Sequence, residues 1–301
     1  YNVLAVIVLF LLAEVAVRIF FPEVSTLGTD SVLIMDSVYN DSPGLRPNAS
    51  GYSNQGLKTS DENGYLKYKG NAAVNEKWLL LGDSVTMGIG VDDEDTFAAL
   101  LQIANPNVKI LNPSLIGYSA KDYYNVVSKL KSDTVITKVF IMWCLNDTYS
   151  GELVQDSPET GKSFFSGILK LLRNYSKLYI WLKGSFTDRQ KAYFEYDKSY
   201  YTEDNKNFIE AAEYIRKIDS VVVSAGKKLT VIILPYEYQT RKKVEDYKPQ
   251  ETLKKFISGL NIQILDIRFS GQADDYKKYY LFGDGIHFSK EGHKKIFKEF
   301  E

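Results

Sequence analysis

The chain has 301 residues, of which 45% are hydrophobic and 25% are charged, and its formal net charge is −1. This composition is that of an ordinary folded protein, and the absence of a basic excess argues against a nucleic-acid partner. The single cysteine, Cys144, excludes an intrachain disulfide, and one cysteine with two histidines leaves little from which to build a metal site. We therefore expect no metal and no cofactor.

An apolar run opens the chain and reaches Phe21, where Pro22 ends it. Its length is close to the roughly 20 residues that cross a bilayer core, and Glu14 and Arg18 are its charged residues. Their i,i+4 spacing places both charges on one helix face, where they can pair with each other or meet a membrane-protein partner. We predict a transmembrane signal anchor over residues 1–21, with a cleavable signal peptide as the alternative.

The flank after this run predicts which side of the bilayer the remaining chain occupies. It carries Glu23, Asp30 and Asp36 and lacks lysine, which suits the non-cytoplasmic side. We therefore predict an enzyme held in the periplasmic or extracellular space. Because the chain begins at Tyr1 rather than at a methionine, we also expect residues to precede it.

Residues 22–75 are polar and rich in turn signals, which is typical of a juxtamembrane spacer. Within them, Asn63-Gly64 lies between Leu57-Lys58-Thr59 and Tyr65-Leu66. This pattern is compatible with a short β-hairpin packed on the following domain.

From residue 76 to the end, segments typical of strands alternate with segments typical of helices, which indicates a parallel sheet with right-handed crossovers. We predict a three-layer α/β/α, flavodoxin-like sandwich with a central parallel five-stranded sheet over residues 76–301. The predicted strands lie near 77–82, 108–111, 137–143, 229–234 and 262–266, and the predicted helices near 95–104, 119–130, 204–224, 250–259 and 289–300.

The first predicted strand runs through Leu79-Leu80-Leu81 into Gly82-Asp83-Ser84. In open α/β sheets, reacting groups collect just beyond the carboxyl ends of the strands. A serine at that position can act as a nucleophile if a histidine takes its proton and a carboxylate orients the histidine. Ser84 is therefore the candidate nucleophile, and it requires both partners from elsewhere in the chain.

The next two predicted strands lead into turns that could hold an oxyanion. The second is followed by a turn containing Gly117, where a glycine can offer an unobstructed backbone N–H. The third is followed by Cys144-Leu145-Asn146-Asp147, in which the side-chain amide of Asn146 can donate to the same point. Each such donor typically contributes ~3–4 kcal/mol of transition-state stabilisation.

A stretch at 148–203 is too long for a normal crossover and predicts an insertion near the active face. Its amphipathic pattern between Ser163 and Lys183 is typical of a helix. We interpret that helix as a packing element, with a lid or a helix on the membrane surface as alternatives.

The loop after the fourth predicted strand contains Tyr236, Tyr238 and Arg241. It should lie at the carboxyl end of that strand, beside Ser84, and aromatic faces are good platforms for sugar rings. These three residues are the candidate substrate-binding residues, and ordinary half-buried tyrosine packing is the alternative.

The C-terminal segment supplies a base and a carboxylate. Asp284 and His287 are spaced so that one loop or first helical turn can present both side chains on the same side. His287 is therefore the candidate base and Asp284 its orienting partner. The other histidine, His293, lies among lysines of a predicted terminal helix, and we interpret it as a solvated surface residue.

Four separated motifs occur in this order along the chain: Gly82-Asp83-Ser84, Gly117, Asn146 and Asp284-x-x-His287. They resemble the motifs of the SGNH, or GDSL-type, esterases over roughly residues 76 to 300. The resemblance implies that Ser84 is the nucleophile and a backbone oxyanion donor. It also implies that Gly117 and Asn146 are the other two donors, and that His287 and Asp284 complete the triad. One position departs from the family pattern, because Cys144 stands where a glycine is usual.

Three functions are compatible with this reading. The first is a serine ester hydrolase that acts through an acyl-enzyme on acyl esters, chiefly O-acetyl esters, of cell-envelope carbohydrate. The second is an O-acyltransferase that modifies a surface polysaccharide together with a membrane partner. The third is a catalytically silent glycan-binding or assembly protein on the same scaffold.

Overall fold

The computed structural model of the protein describes residues 2–70, 75–149, 164–241, 244–269 and 275–300. It begins with helix α1 (Asn2–Phe20), which ends just before Pro22. Most large apolar side chains of α1 are exposed, whereas Val17 is buried. In the described part of the chain, α1 is the one helix that is long and apolar enough to cross a membrane.

Two short β-hairpins follow α1, and their strands are β1 (Ile34–Tyr39), β2 (Ser42–Leu45), β3 (Ser50–Ser53) and β4 (Gly56–Thr59). The second hairpin turns through Asn54 and Gln55, whose φ angles of 46° and 70° suit a tight two-residue turn. At Asn63-Gly64, where the sequence predicts a hairpin, the chain turns back on itself. Ser60 and Leu66 form an antiparallel bridge, the Asp61 N–H donates to the Tyr65 carbonyl at 2.8 Å, and the Lys67 N–H donates to the Thr59 carbonyl at 2.9 Å.

The segment predicted to be a spacer packs on the domain that follows it. Lys58 of β4 is fully buried, and its Nζ lies 3.1 Å from Oδ1 of Asp93. The backbone N–H of Leu66 donates to the carbonyl of Asn112 at 2.9 Å. These contacts place the hairpin region against the domain rather than extended away from it.

A five-stranded parallel sheet forms the centre of the domain. Its strands are β5 (Glu76–Leu81), β6 (Val108–Leu111), β7 (Ile136–Trp143), β8 (Lys228–Ile233) and β9 (Ile262–Asp266). The strand order is β6-β5-β7-β8-β9, so β5 lies between β6 and β7. Each strand ends within one residue of its predicted bounds, and the predicted five-stranded parallel sheet is confirmed.

Helices cover both faces of this sheet. They are α2 (Ser84–Met87), α3 (Phe97–Ala104), α4 (Ala120–Leu130), α5 (Phe164–Tyr175), α6 (Lys177–Phe186), α7 (Arg189–Lys198), α8 (Lys206–Ser224), α9 (Lys248–Ile257) and α10 (Lys290–Lys298). Helices α4 and α8 pack together on one side, and α3 packs with α10 on the other. The three layers of the predicted sandwich are therefore present.

The insertion predicted over 148–203 contains α5, α6 and α7, while its residues 150–163 lie outside the described part of the chain. The amphipathic pattern that predicts one helix corresponds to two helices. They are separated at Ser176, whose Oγ accepts a hydrogen bond from the Tyr179 N–H at 3.1 Å and caps α6.

Candidate active site

Ser84 lies directly after the buried carboxyl end of β5. A side chain at Gly82 would collide with Thr86, so this close approach requires a glycine. Asp83 caps the single turn α2, and its Oδ1 accepts a hydrogen bond from the Val85 N–H at 2.9 Å. These local contacts hold Ser84 at the carboxyl edge of the sheet.

Ser84, His287 and Asp284 form one hydrogen-bonded line. Ser84 Oγ lies 2.8 Å from Nε2 of His287, and Nδ1 of the same ring lies 2.8 Å from Oδ1 of Asp284. Because an ionised carboxylate can only accept, Nδ1 carries a proton and Nε2 is free to accept from the serine hydroxyl. The arrangement is that of a nucleophile, a base and an orienting carboxylate.

The electrostatics of this line favour charge separation. Burial acts to lower the pKa of His287, but the carboxylate of Asp284, together with that of Asp83, raises it above its ordinary value. Burial acts to raise the pKa of Asp284, but His287 and the backbone N–H groups of Ile286 and His287 hold it below its ordinary value. Both directions stabilise the imidazolium–carboxylate pair that forms when Ser84 loses its proton.

The loop that carries Asp284 and His287 is tied to the sheet by backbone hydrogen bonds. The Leu281 N–H donates to the carbonyl of His287 at 2.9 Å. The Glu237 N–H, in the turn that follows β8, donates to the carbonyl of Gly285, also at 2.9 Å. The loop therefore lies at the same carboxyl edge of the sheet as Ser84.

Gly117 and Asn146 lie after β6 and β7, the two strands that flank β5. Gly117 has a φ of +81°, which favours glycine, and open space lies where a Cβ would point. One amide N–H of Asn146 donates to Oδ2 of Asp83 at 3.1 Å, and the amide has a second N–H for a ligand. Gly117 and Asn146 thus lie after the two strands on either side of β5, the strand that leads to Ser84.

A cavity of about 620 Å³ opens beside these turns, lined by Ile116 and Gly117 on one side and by Thr148 and Tyr149 on the other. This volume lies within the range of roughly 300–1,000 Å³ that is typical of small-molecule sites. Gly117 lines this cavity, whereas Ser84, Asn146 and His287 do not, so the cavity adjoins the site at the Gly117 turn.

A group of polar side chains contacts Asn146, and we call it the Asp197 cluster (the buried Asp197 and Tyr236, and the half-buried Tyr149). The hydroxyls of Tyr149 and Tyr236 each donate to the Asp197 carboxylate at 2.6 Å. The Tyr236 hydroxyl also lies 3.3 Å from Oδ1 of Asn146. Burial raises the pKa of Asp197 to about 6, against the two tyrosine hydrogen bonds that lower it. Sequence reasoning missed Asp197 because no motif surrounds it in the insertion.

The structure places the predicted substrate-binding side chains in internal contacts. Tyr236 is fully buried, which leaves no surface for a substrate to touch, so the expected direct contact is not seen. The half-buried ring of Tyr238 packs on Phe194, with centroids 5.4 Å apart. Arg241 binds both carboxylate oxygens of Asp188 at 2.7 and 2.8 Å, and thereby holds the start of α7.

Cys144 occupies its unusual position without strain. Its φ of −101° is open to any residue, so this turn does not require a glycine. The Cys144 N–H donates to Oδ2 of Asp147 at 2.8 Å, and its Sγ lies 3.9 Å from the Tyr236 hydroxyl. Burial raises the thiol pKa of Cys144 well above its ordinary value, so the thiol is inert.

His293 is fully buried, and the prediction that it is a solvated surface residue is wrong. Its Nδ1 accepts a hydrogen bond from the Phe97 N–H at the start of α3 (3.3 Å), and its ring contacts those of Phe97 and Phe288. Burial, with the nearby charges of Lys58 and His287, lowers the pKa of His293 to about 3. The lysines mark the outer face of α10, whereas His293 lies on its inner face.

The family model described as GDSL-like lipase/acylhydrolase matches residues 79–300. No curated protein matches the sequence.

Similar solved structures include the psychrotrophic esterase EstA from Pseudoalteromonas sp., at 14% identity, with 75% of this chain and 94% of that chain covered and a TM-score of 0.44. They also include the acetylxylan esterase Axe2 from Geobacillus stearothermophilus (14% identity, 76% and 93% covered, TM-score 0.39). A third is the lipase/acylhydrolase from Enterococcus faecalis (14% identity, 75% and 93% covered, TM-score 0.42).

Proposed function

The chain belongs to the GDSL-like lipase/acylhydrolase family, and we propose that it cleaves acyl esters through a catalytic triad of Ser84, His287 and Asp284. The family makes it a serine esterase. The observation that carries the triad assignment is the line of two hydrogen bonds, each 2.8 Å long, from Ser84 through His287 to Asp284.

Acylation of the enzyme is the first half of the proposed reaction. Ser84 Oγ bonds to the ester carbonyl carbon while its proton passes to Nε2 of His287. The C–O bond to the alcohol then breaks, and the departing alkoxide takes that proton from His287. The acyl group is left on Ser84 as an ester.

Deacylation repeats these steps with water as the nucleophile. Water gives a proton to His287 and attacks the acyl-enzyme, and the carboxylic acid leaves as Ser84 recovers the proton. In both halves, the Ser84 and Gly117 N–H groups and the free N–H of Asn146 stabilise the negative oxygen. Asp284 stays ionised and stabilises the imidazolium.

The proposed substrates are acyl esters, chiefly O-acetyl esters, of cell-envelope carbohydrate. This proposal is supported by α1, a helix able to cross a membrane, and by the acidic flank at Glu23, Asp30 and Asp36. In this account α1 anchors the protein and the catalytic domain lies on the non-cytoplasmic side. Protease added to intact spheroplasts should therefore degrade the domain, and protection of the domain would contradict this topology.

Acyl transfer is the second candidate, and the position of α1 favours it. A site tethered to a bilayer can take its acyl group from a membrane-bound donor and pass it to a sugar hydroxyl instead of to water. The intact hydrogen-bonded line from Ser84 to Asp284 argues against the third candidate, a silent binding protein.

The test is acetate release from a chromogenic acetyl ester by the full chain in detergent, with and without an oligosaccharide acceptor. Ser84→Ala should reduce kcat on the order of 10⁴-fold or more, because it removes the nucleophile. Ser220→Ala, at an exposed position on α8, is the matched serine control and should leave kcat unchanged. Acetylated acceptor among the products identifies a transferase, and equal activity of wild type and Ser84→Ala rejects the triad.

A further inference from the structure

Two charged residues of α1 bind the junction between α5 and α6. The carboxylate of Glu14 accepts hydrogen bonds from Ser176 Oγ (2.8 Å) and from the N–H groups of Lys177 (3.0 Å) and Leu178 (2.9 Å). Glu14 thus satisfies the free N–H groups at the start of α6, where the positive end of the helix dipole favours an anion.

Arg18 completes this clamp at the other side of the junction. Its Nε donates to Glu14 at 2.8 Å, and its Nη2 donates to the carbonyl of Tyr175, the last residue of α5, at 2.7 Å. From the sequence alone, Glu14 and Arg18 could pair with each other or meet a membrane-protein partner. In the structure they bind the chain's own insertion, at the junction of α5 and α6. These hydrogen bonds fix the junction of α5 and α6 beside Glu14 and Arg18 of α1.

Apolar packing reinforces this attachment. The rings of Phe21 and Trp181 lie 5.1 Å apart, and Leu178 and Ile180 of α6 are buried. The Leu27 N–H donates to the carbonyl of Arg173 in α5 at 3.3 Å. Helices α5 and α6 are thus attached to α1 and to the chain that leaves it.

The remaining surface of α5 and α6 is unusually apolar. The exposed fractions of Leu171, Tyr175 and Phe186 are 60%, 69% and 79%. Ile168, Leu169 and Leu182 are exposed as well. A cluster of exposed apolar side chains on two neighbouring helices is typical of an interaction site. Because α5 and α6 are bound to α1, this surface adjoins the apolar surface of a helix able to cross a membrane.

The position of the α5–α6 junction along α1 indicates what covers the exposed apolar side chains of α5 and α6. Glu14 lies six residues before the last residue of α1, which is about 9 Å along the helix. Amphipathic helices that lie on membranes bury their apolar face roughly 5–10 Å into the boundary between headgroups and acyl chains. If the end of α1 lies at the membrane boundary, the attachment point lies at the depth of an interfacial helix.

We propose that α5 and α6 form a membrane-surface element, whose exposed apolar side chains enter the leaflet that faces the catalytic domain. This inference rests on the proposed anchoring by α1. The occupant is the lipid bilayer itself, and basic Arg173, Lys177 and Lys183 can reach the headgroups while the apolar side chains enter the lipid.

The element also touches the loop of the proposed triad. Gly184 of α6 packs on Phe282 and Gly283, and a Cβ at Gly184 would come within 2.8 Å of the Phe282 ring. Asp284 is the next residue of that loop. Membrane contact through α5 and α6 thus holds the catalytic loop close to the bilayer, where the site meets esters presented at the membrane surface.

The test uses the full chain in lipid nanodiscs and reads the depth of single fluorescent labels. The native Cys144 is buried, so an introduced surface cysteine can be labelled selectively. Labels are placed at Leu171→Cys and Phe186→Cys, two exposed positions where substitution removes no internal packing. Ile103→Cys, an exposed apolar position on α3, is the matched control, and Val8→Cys reports α1 itself.

Lipids brominated near the headgroup should quench the labels at 171 and 186 several-fold more than the label at 103. Lipids brominated deep in the chain should quench the label at 8. If the label at 8 is quenched but those at 171 and 186 behave like that at 103, the inference is overturned while the anchor stands. If the labels at 171 and 186 are shielded from lipid and from aqueous iodide alike, a protein covers the surface and the inference is again overturned.

Failure of the label at 8 to respond to lipid overturns the anchor and this inference together. Hydrolysis of a soluble acetyl ester in the same nanodiscs, compared with Ser84→Ala, reports separately on the proposed esterase activity. The depth measurement does not depend on turnover, so failure of the membrane contact and failure of the catalytic proposal are distinguishable.

Discussion

Two neighbouring regions of the molecule both contain buried ionisable groups with displaced pKa values. One is the catalytic edge, defined by Ser84, Asn146 and the loop of Asp284 and His287. The other is the buried support behind it, defined by the Asp197 cluster and His293. In the catalytic edge the ionisable groups form a hydrogen-bonded line that ends on the Ser84 hydroxyl, whereas in the support Asp197 accepts from two tyrosine hydroxyls and His293 accepts from a backbone N–H. A displaced pKa therefore marks a site only where geometry also provides a reacting atom.

This difference predicts that substitutions at the catalytic edge change the rate, whereas those in the support mainly change stability. After Ser84→Ala, the largest effect is expected for Asp284→Asn. It should reduce kcat on the order of 10³–10⁴-fold, because the amide no longer fixes the His287 tautomer or stabilises the imidazolium.

Asp284→Asn should also change the pH dependence of kcat/KM. The rising limb reports the pKa of His287 in the free enzyme, and Asp284 raises that pKa above about 6.5. Without the carboxylate the imidazolium is less stable, so the limb should move to lower pH. An unchanged limb would show that Asp284 is not the partner of His287.

The next largest effect is expected for Asn146→Ala, which removes a proposed oxyanion donor. The loss in kcat should be on the order of 10²–10³-fold, with a smaller change in KM, because the donor acts chiefly on the charge of the transition state. Asn125→Ala, at a buried asparagine of α4, is the control for general disturbance of the fold. Equal losses in the two variants would argue against a catalytic role for Asn146.

Tyr236→Phe tests the boundary between the two regions. It removes the hydroxyl that lies between Asp197 and Asn146, so we expect a destabilisation of about 1–3 kcal/mol. The accompanying loss in kcat should be no more than about tenfold, because Asn146 keeps its hydrogen bond to Asp83. Urea unfolding and steady-state kinetics on one preparation separate the two effects. A larger loss in kcat without destabilisation would move Tyr236 into the catalytic edge.

His293→Asn should have the smallest effect on turnover, with kcat unchanged where the protein is folded. Because the pKa of His293 is about 3 in the folded state, the unfolded chain binds more protons between that pH and about 6.5. The wild type should therefore lose up to about 1.4 kcal/mol of stability per unit of acidification within this window.

The free energy of unfolding of His293→Asn should lack the loss on acidification that His293 causes in the wild type. Urea unfolding at pH 5 and pH 7 can measure this difference. His287 has a raised pKa, so its contribution to stability is present below about 6.5 and is lost as the pH rises through its folded pKa. An unchanged acid slope in His293→Asn would contradict the assignment of His293 to the buried support.

The same division explains what could be predicted from the sequence. The strands were predictable because apolar runs between turn residues are local signals, and the ends of β5, β6 and β7 therefore located Ser84, Gly117 and Asn146. Asp284 and His287 could be predicted from the sequence because they lie in one short motif.

The rest depends on contacts between residues far apart in the chain. The pairing of Glu14 with the α5–α6 junction joins positions more than 160 residues apart, and nothing near Glu14 indicates that partner. Asp197 meets Tyr236 only when α7 packs against the turn after β8. His293 looked exposed because neighbouring lysines reveal the outer face of α10 but not which residue faces inward.

If Ser84 is a nucleophile activated by His287, it should react covalently with a fluorophosphonate. Intact mass and peptide mapping should show one adduct, on Ser84, in the wild type and a much slower adduct in His287→Ala. Ser84→Ala should remain unlabelled. An adduct on another residue, or equal labelling of wild type and Ser84→Ala, would contradict the account.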